Sequence, residues 1–225
     1  LKRYYKNKKV IILIPDSKIK QIPFEIIGKN EMLEEKYILL YMPSILINTK
    51  SYAKQQIRGV NIIKESKSTP AYLEHIALKE TGMKITDNEK ISRGFGHIQS
   101  NISFDPFARV FRADAKNIDS VLGKPYSIYY SSLEIDQLHL NPFISLHFNK
   151  KVSSIICNNS IKKDINNAIF VEAYYKAMLN NKSQLQAFEG AKSALIKHKQ
   201  YNHPAFWAGI RFYIGGSIRQ MLKNQ

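Results

Sequence analysis

Short apolar runs, each closed by proline, glycine or a polar cluster, alternate along this chain with stretches whose apolar residues recur at helical spacing. Residues 10–14 form one such run, ended by Pro15-Asp16. Residues 37–42 form a second, ended by Pro43-Ser44, and residues 59–63 a third. A run that is apolar at every position reads as a strand buried on both faces, the situation in a parallel sheet covered by helices from either side. Thr69-Pro70 then opens a helix, with Thr at the N-cap and Pro in the first turn. Tyr72, Leu73, Ile76 and Ala77 are expected on its buried face, with Gly82 closing it. Further strands are expected at residues 91–100, 126–131, 152–157 and 206–214, with a short helix around 115–122. Ile169, Phe170, Ala173, Ala177 and Met178 fall at helical spacing. Ser183-Gln184-Leu185-Gln186 is a capping box, opening a helix that carries Leu185, Phe188, Ala191 and Leu195 along one side. Strands alternating with helices predict an α/β fold of three α/β/α layers, with a mostly parallel central sheet and helices on both faces. No repeat, low-complexity segment or linker interrupts residues 1–225, so a single domain is expected.

The chemistry-bearing residues are few. Cys157 is the sole cysteine, so an internal disulfide is excluded and a reducing, cytoplasmic compartment is the expectation. One cysteine and six scattered histidines do not make a metal site, and no cofactor is expected. No apolar run approaches the roughly 20 residues needed to span a bilayer, so no membrane partner is expected either. The net charge of +16 admits a polyanion partner. The positive residues are dispersed rather than striped, however, and are mostly Lys rather than the Arg that reads base edges. Weak, non-specific affinity for acidic surfaces is what this pattern implies.

Several stretches, in order, resemble the CHAT domain, a caspase-like module of the cysteine-peptidase clan that often follows tetratricopeptide repeats. Ile14-Pro15-Asp16-Ser17 followed by Ile22-Pro23-Phe24-Glu25-Ile26-Ile27 is similar to its opening strand and Leu-Pro-Phe-Glu turn. Tyr41-Met42-Pro43-Ser44 is similar to its next strand. Ala187-Phe188-Glu189-Gly190-Ala191-Lys192 resembles its amphipathic helix, and His203-Pro204-Ala205-Phe206-Trp207-Ala208-Gly209 through Gly215 its closing strand. The resemblance implies a caspase-like three-layer fold, a protein or peptide partner, and an N-terminal helical-repeat region in the same, longer polypeptide. Read physically, Pro15 and Pro43 end strands because proline cannot donate to the ladder, and Trp207 belongs to the core.

In that family one strand ends in a His-x-x-x-His-Gly pattern that supplies the catalytic imidazole. A second ends in a Ser-Ala-Cys-Glu-like pattern that supplies the thiol. Both are needed, because the thiolate attacks while the imidazole carries protons. Here the first pattern reads His97-Ile98-Gln99-Ser100-Asn101-Ile102: His97 matches the earlier, structural histidine and Asn101 the catalytic one. An amide cannot serve as a general base. His97 is about 13 Å along the strand from that position, too far to substitute.

Two registers are open for the thiol. Cys157 ends an apolar strand, but taking it as nucleophile leaves no residues for the strand and helix the family places next. The other register puts residues 124–134 on the nucleophile strand, which makes Ser132 the thiol position, or Leu133 after a one-residue shift. Residues 143–152 then supply the helix and turn, and Ser154-Ile155-Ile156-Cys157 the following strand. This register accounts for every element and makes Cys157 a core residue. The chain is therefore expected to be a pseudopeptidase with a binding or regulatory role. The alternatives are a working cysteine peptidase that pairs Cys157 with His97, His139 or His147, and a charge-driven polyanion or nucleic-acid binder.

Overall fold

The computed structural model describes residues 9–15, 24–28, 32–33, 37–43, 59–63, 69–87, 91–99, 102–113, 116–131, 133, 135, 137–159 and 165–215. The strands in chain order are β1 (Lys9–Leu13), β2 (Tyr37–Tyr41), β3 (Gly59–Ile63), β4 (Lys84–Asp87), β5 (Ile91–Ile98), β6 (Ile102–Asp105), β7 (Val110–Ala113), β8 (Lys116–Asn117), β9 (Leu122–Tyr130), β10 (Ser154–Asn158) and β11 (Ile210–Ile214). The α-helices are α1 (Thr69–Glu80), α2 (Ile118–Val121), α3 (Gln137–Asn149), α4 (Ile165–Leu179) and α5 (Gln184–Ile196), with 3-10 turns at Phe24–Ile26 and Pro204–Phe206.

Among the described residues, eight strands form one central sheet in the order β1-β2-β11-β10-β9-β5-β3-β4, and β6-β7-β8 form a small antiparallel sheet of their own. All central pairings are parallel except β10 with β11. The strands therefore run in two parallel blocks, β10-β9-β5-β3-β4 and β1-β2-β11, which meet at one antiparallel seam. The three-layer α/β architecture with a mostly parallel sheet is thus present.

Alternation along each strand divides the core into two faces. Ile38 and Leu40 of β2, Phe95 of β5, Tyr129 of β9 and Ile156 of β10 pack under Leu78 of α1, the Phe170–Tyr174–Tyr175 side of α4 and the Phe188–Ala191–Leu195 side of α5. Leu39, Tyr41, Ile98, Tyr130, Ile155 and Cys157 face the other way. They meet Phe143, Ile144 and Phe148 of α3, Ile118 and Val121 of α2, and Phe111 of β7. Trp207 is fully buried, and its indole Nε1 donates to the Asn202 carbonyl at 2.9 Å.

Two local readings change. The buried side of α1 runs through Glu74, Ala77 and Leu78, while Tyr72 is 65 % and Ile76 38 % exposed. A carboxylate sits at the centre of that buried face, so apolar periodicity places Ala77 correctly but misplaces Tyr72 and Ile76. The last strand also starts later than residue 206, because His203-Pro204 turns the chain into a 3-10 helix and β11 begins at Ile210. Gly82 closes α1 in the left-handed conformation, φ +75°, where a side chain would be strained. No helix among the described residues is long and apolar enough to cross a membrane.

Candidate functional site

β5 and β9 lie side by side and parallel, with His97 opposite Tyr129 and Ile98 opposite Tyr130. Their pairing continues past the strand ends. The Ser131 amide donates to the Ile98 carbonyl at 3.1 Å, and Ile102 forms a parallel bridge with Leu133. Asn101 and Ser132 lie outside the described residues. In sequence each directly precedes one member of the Ile102–Leu133 bridge. Leu133 itself is buried in the core, an alkyl side chain with no acid, base or nucleophile.

A buried polar layer underlies this edge on the α1/α4 face. Glu74 of α1 accepts through Oε2 from His97 Nε2 at 3.1 Å and from Gln99 Nε2 at 3.3 Å. His97 Nδ1 pairs with the Tyr175 hydroxyl at 3.1 Å. Glu74 Oε1 and Gln99 Oε1 are buried and have no hydrogen-bond partner among the described residues. Asn167, in the first turn of α4, ties the adjoining strand ends together. Its Oδ1 accepts from the Tyr129 hydroxyl and from Asn158 Nδ2, and its Nδ2 reaches the Ser131 carbonyl. Burial first, and the Glu74 charge second, push the Tyr129 phenol upward. Both ring nitrogens of His97 are committed inside this layer, and the side chain is fully buried.

The structure keeps Cys157 away from His97. Cys157 lies opposite Tyr130 on one side and Arg211 on the other, and is 1 % exposed. Its side chain points to the α3 face, whereas His97 shares the opposite face with Tyr129, and β9 stands between their strands. Burial pushes the Cys157 thiol well up, with only the Arg211 guanidinium opposing, so the thiolate needed for attack is disfavoured. Among the described residues no hydrogen bond joins Cys157 to a histidine. His139 of α3 stacks on Phe104 at 3.9 Å between centroids. His147 donates from Nδ1 to the Phe143 carbonyl at 2.7 Å, which makes Nε2 an acceptor for the Tyr130 hydroxyl.

A second buried group joins the 3-10 turn to the seam side of the sheet. Glu25 Oε1 accepts from the Tyr41 hydroxyl at 2.6 Å and from Arg211 Nε at 3.1 Å, and the Arg211 guanidinium lies 4.9 Å from the Tyr41 ring centroid. This pair anchors the Phe24–Ile26 turn to the sheet. It holds the fold together and offers no exposed reactive atom.

Sequence reasoning missed Glu74, Gln99, Tyr175 and Asn167. The detectable signal was the spacing of His97 and Gln99, two apart on one strand and so on one face. Among the described residues, no group of three or more His, Cys, Asp or Glu could hold a metal ion. Compared with known proteins, the chain matches no family model and no curated protein.

Proposed function

We propose that this chain is a CHAT-like, caspase-like domain without a working catalytic dyad, acting as a protein- or peptide-binding regulatory module. The observation that carries this reading is the Ile102–Leu133 bridge beyond the paired ends of β5 and β9. A caspase-like dyad needs its imidazole and thiol at the carboxyl ends of two adjacent parallel strands, where open α/β sheets present their ligands. The residues preceding the two bridge partners are Asn101, whose amide cannot act as a base, and Ser132, whose hydroxyl is then left with no base to deprotonate it. The order β9, α3, β10, α4 also matches the register that assigns Ser132, or Leu133, to the thiol position, with Cys157 in the core. Partners follow from the resemblance: a peptide segment, or a helical-repeat region of the same polypeptide.

The reading is tested by incubating the protein with a broad peptide mixture and following it by mass spectrometry, alongside labelling with a thiol-directed suicide probe. Intact peptides and an unlabelled native chain are the expected results. Cleavage that disappears in Cys157→Ala would overturn the proposal in favour of a working peptidase.

A further inference from the structure

The chain between β6 and β7 is built as a rigid wedge. Asp105 Oδ1 accepts from the amides of Phe107 and Ala108, both at 3.0 Å, and Asp105 Oδ2 accepts from Arg112 Nε at 2.9 Å. Arg109 completes the turn with φ +52°. The base of the hairpin is fastened to α3: Phe104 stacks on His139, and Phe111 meets Phe143 edge-on with ring centroids 5.1 Å apart. What this mounting presents is an apolar ring. Phe107 is 98 % exposed, well beyond the other exposed large hydrophobic side chains among the described residues. Its loop neighbours Pro106, Ala108 and Arg109 are exposed as well.

Ordering an exposed phenylalanine on a braced turn gains nothing within the monomer. The surroundings select among possible occupants. The tip is an exposed turn at the end of two paired strands, so it enters a medium that needs no matching groove. Asp105, at the tip, is already engaged by Arg112, which among the described residues leaves Arg109 as the exposed charge of the tip and Lys116 at the base. The whole chain adds a dispersed +16. Scattered lysines suit a laterally fluid, anionic surface better than a shaped pocket, because mobile headgroups gather under them. A single ring without a companion on the hairpin is a poor platform for successive bases.

We propose that the β6–β7 hairpin is a membrane-docking wedge that seats Phe107 in the interfacial region of an anionic leaflet, with Arg109 at headgroup level. Docking of this kind is peripheral and needs no spanning segment. One ring plus diffuse charge makes it reversible and sensitive to salt.

The sole tryptophan, Trp207, is fully buried, so Phe107→Trp introduces a reporter against a constant background. Mixed phosphatidylcholine–phosphatidylglycerol vesicles should shift the emission of that variant to the blue, and pure phosphatidylcholine vesicles should not. In co-sedimentation with the mixed vesicles, Phe107→Ala should weaken partitioning of the full chain about tenfold, since its ring no longer leaves water. Partitioning that Phe107→Ala leaves unchanged would reduce the interaction to surface charge and overturn the proposal. So would an absence of binding to mixed vesicles, or quenching of the Phe107→Trp reporter by oligothymidylate with no response to vesicles, which would make the ring a base-stacking contact.

Discussion

Both ring nitrogens of His147 are committed, Nδ1 as donor to the Phe143 carbonyl and Nε2 as acceptor from the Tyr130 hydroxyl. That arrangement requires a neutral imidazole. Burial, only partly offset by the Phe143 hydrogen bond, lowers its pKa from 6.5 to about 4. As pH falls through 6.5 the unfolded chain takes up a proton that the folded chain refuses until about 4. The unfolded state then binds more protons, so stability falls as pH falls across that window, whereas above it this group has no effect on the slope. The loss at the acid end amounts to roughly 3 kcal/mol for this one side chain. Urea unfolding at a series of pH values should show wild type losing about one proton's worth of slope more than His147→Gln in that window. Equal slopes would remove His147 from the acid response. Cys157 shares the α3-side face, and burial makes it inert for the same reason that it keeps His147 neutral: a charge has nowhere to go.

Helix α5 begins with a reciprocal cap. Ser183 Oγ accepts from the Gln186 amide at 3.2 Å, and the Gln186 side chain accepts from the Ser183 amide at 2.9 Å. Ser183→Ala should cost about 1 kcal/mol in chemical denaturation, and an unchanged midpoint would show that α5 is held by its buried face alone. This cap was legible in the sequence because its chemistry is local, as were the strands ended by Pro15 and Pro43. The buried face of α1 was legible only in part. Its centre is Glu74, and a carboxylate there makes sense only once β5 brings His97 and Gln99 beneath it. The β6–β7–β8 sheet escaped notice because its strands are only four, four and two residues long. Their inward residues, Phe104 and Phe111, look like loop aromatics until α3 is packed on them. The antiparallel seam between β10 and β11 depends on how α4 and α5 return the chain, a tertiary fact that no window of sequence carries. The candidate site divides along the same line: His97, Asn101 and Cys157 stand out by residue type, but only strand register and face tell which of them can meet.

Across the whole molecule, the sheet sorts these residues without further help. His97 and its polar layer occupy the face covered by α1 and α4. Cys157, His147 and the Glu25–Arg211 pair occupy the other, and the edge beyond β5 and β9 carries the Ile102–Leu133 bridge from which the β6–β7 hairpin springs. A pseudopeptidase reading stands or falls on whether positions 101 and 132 face each other across that edge. A disulfide between them requires Cα atoms within about 7 Å. The variant Asn101→Cys/Ser132→Cys, made in a Cys157→Ala background, should therefore form an intramolecular disulfide under mild oxidation, seen as a loss of two hydrogens in the intact mass. A folded variant that keeps both thiols free would separate the two positions, and with them the dyad register on which the proposed function rests.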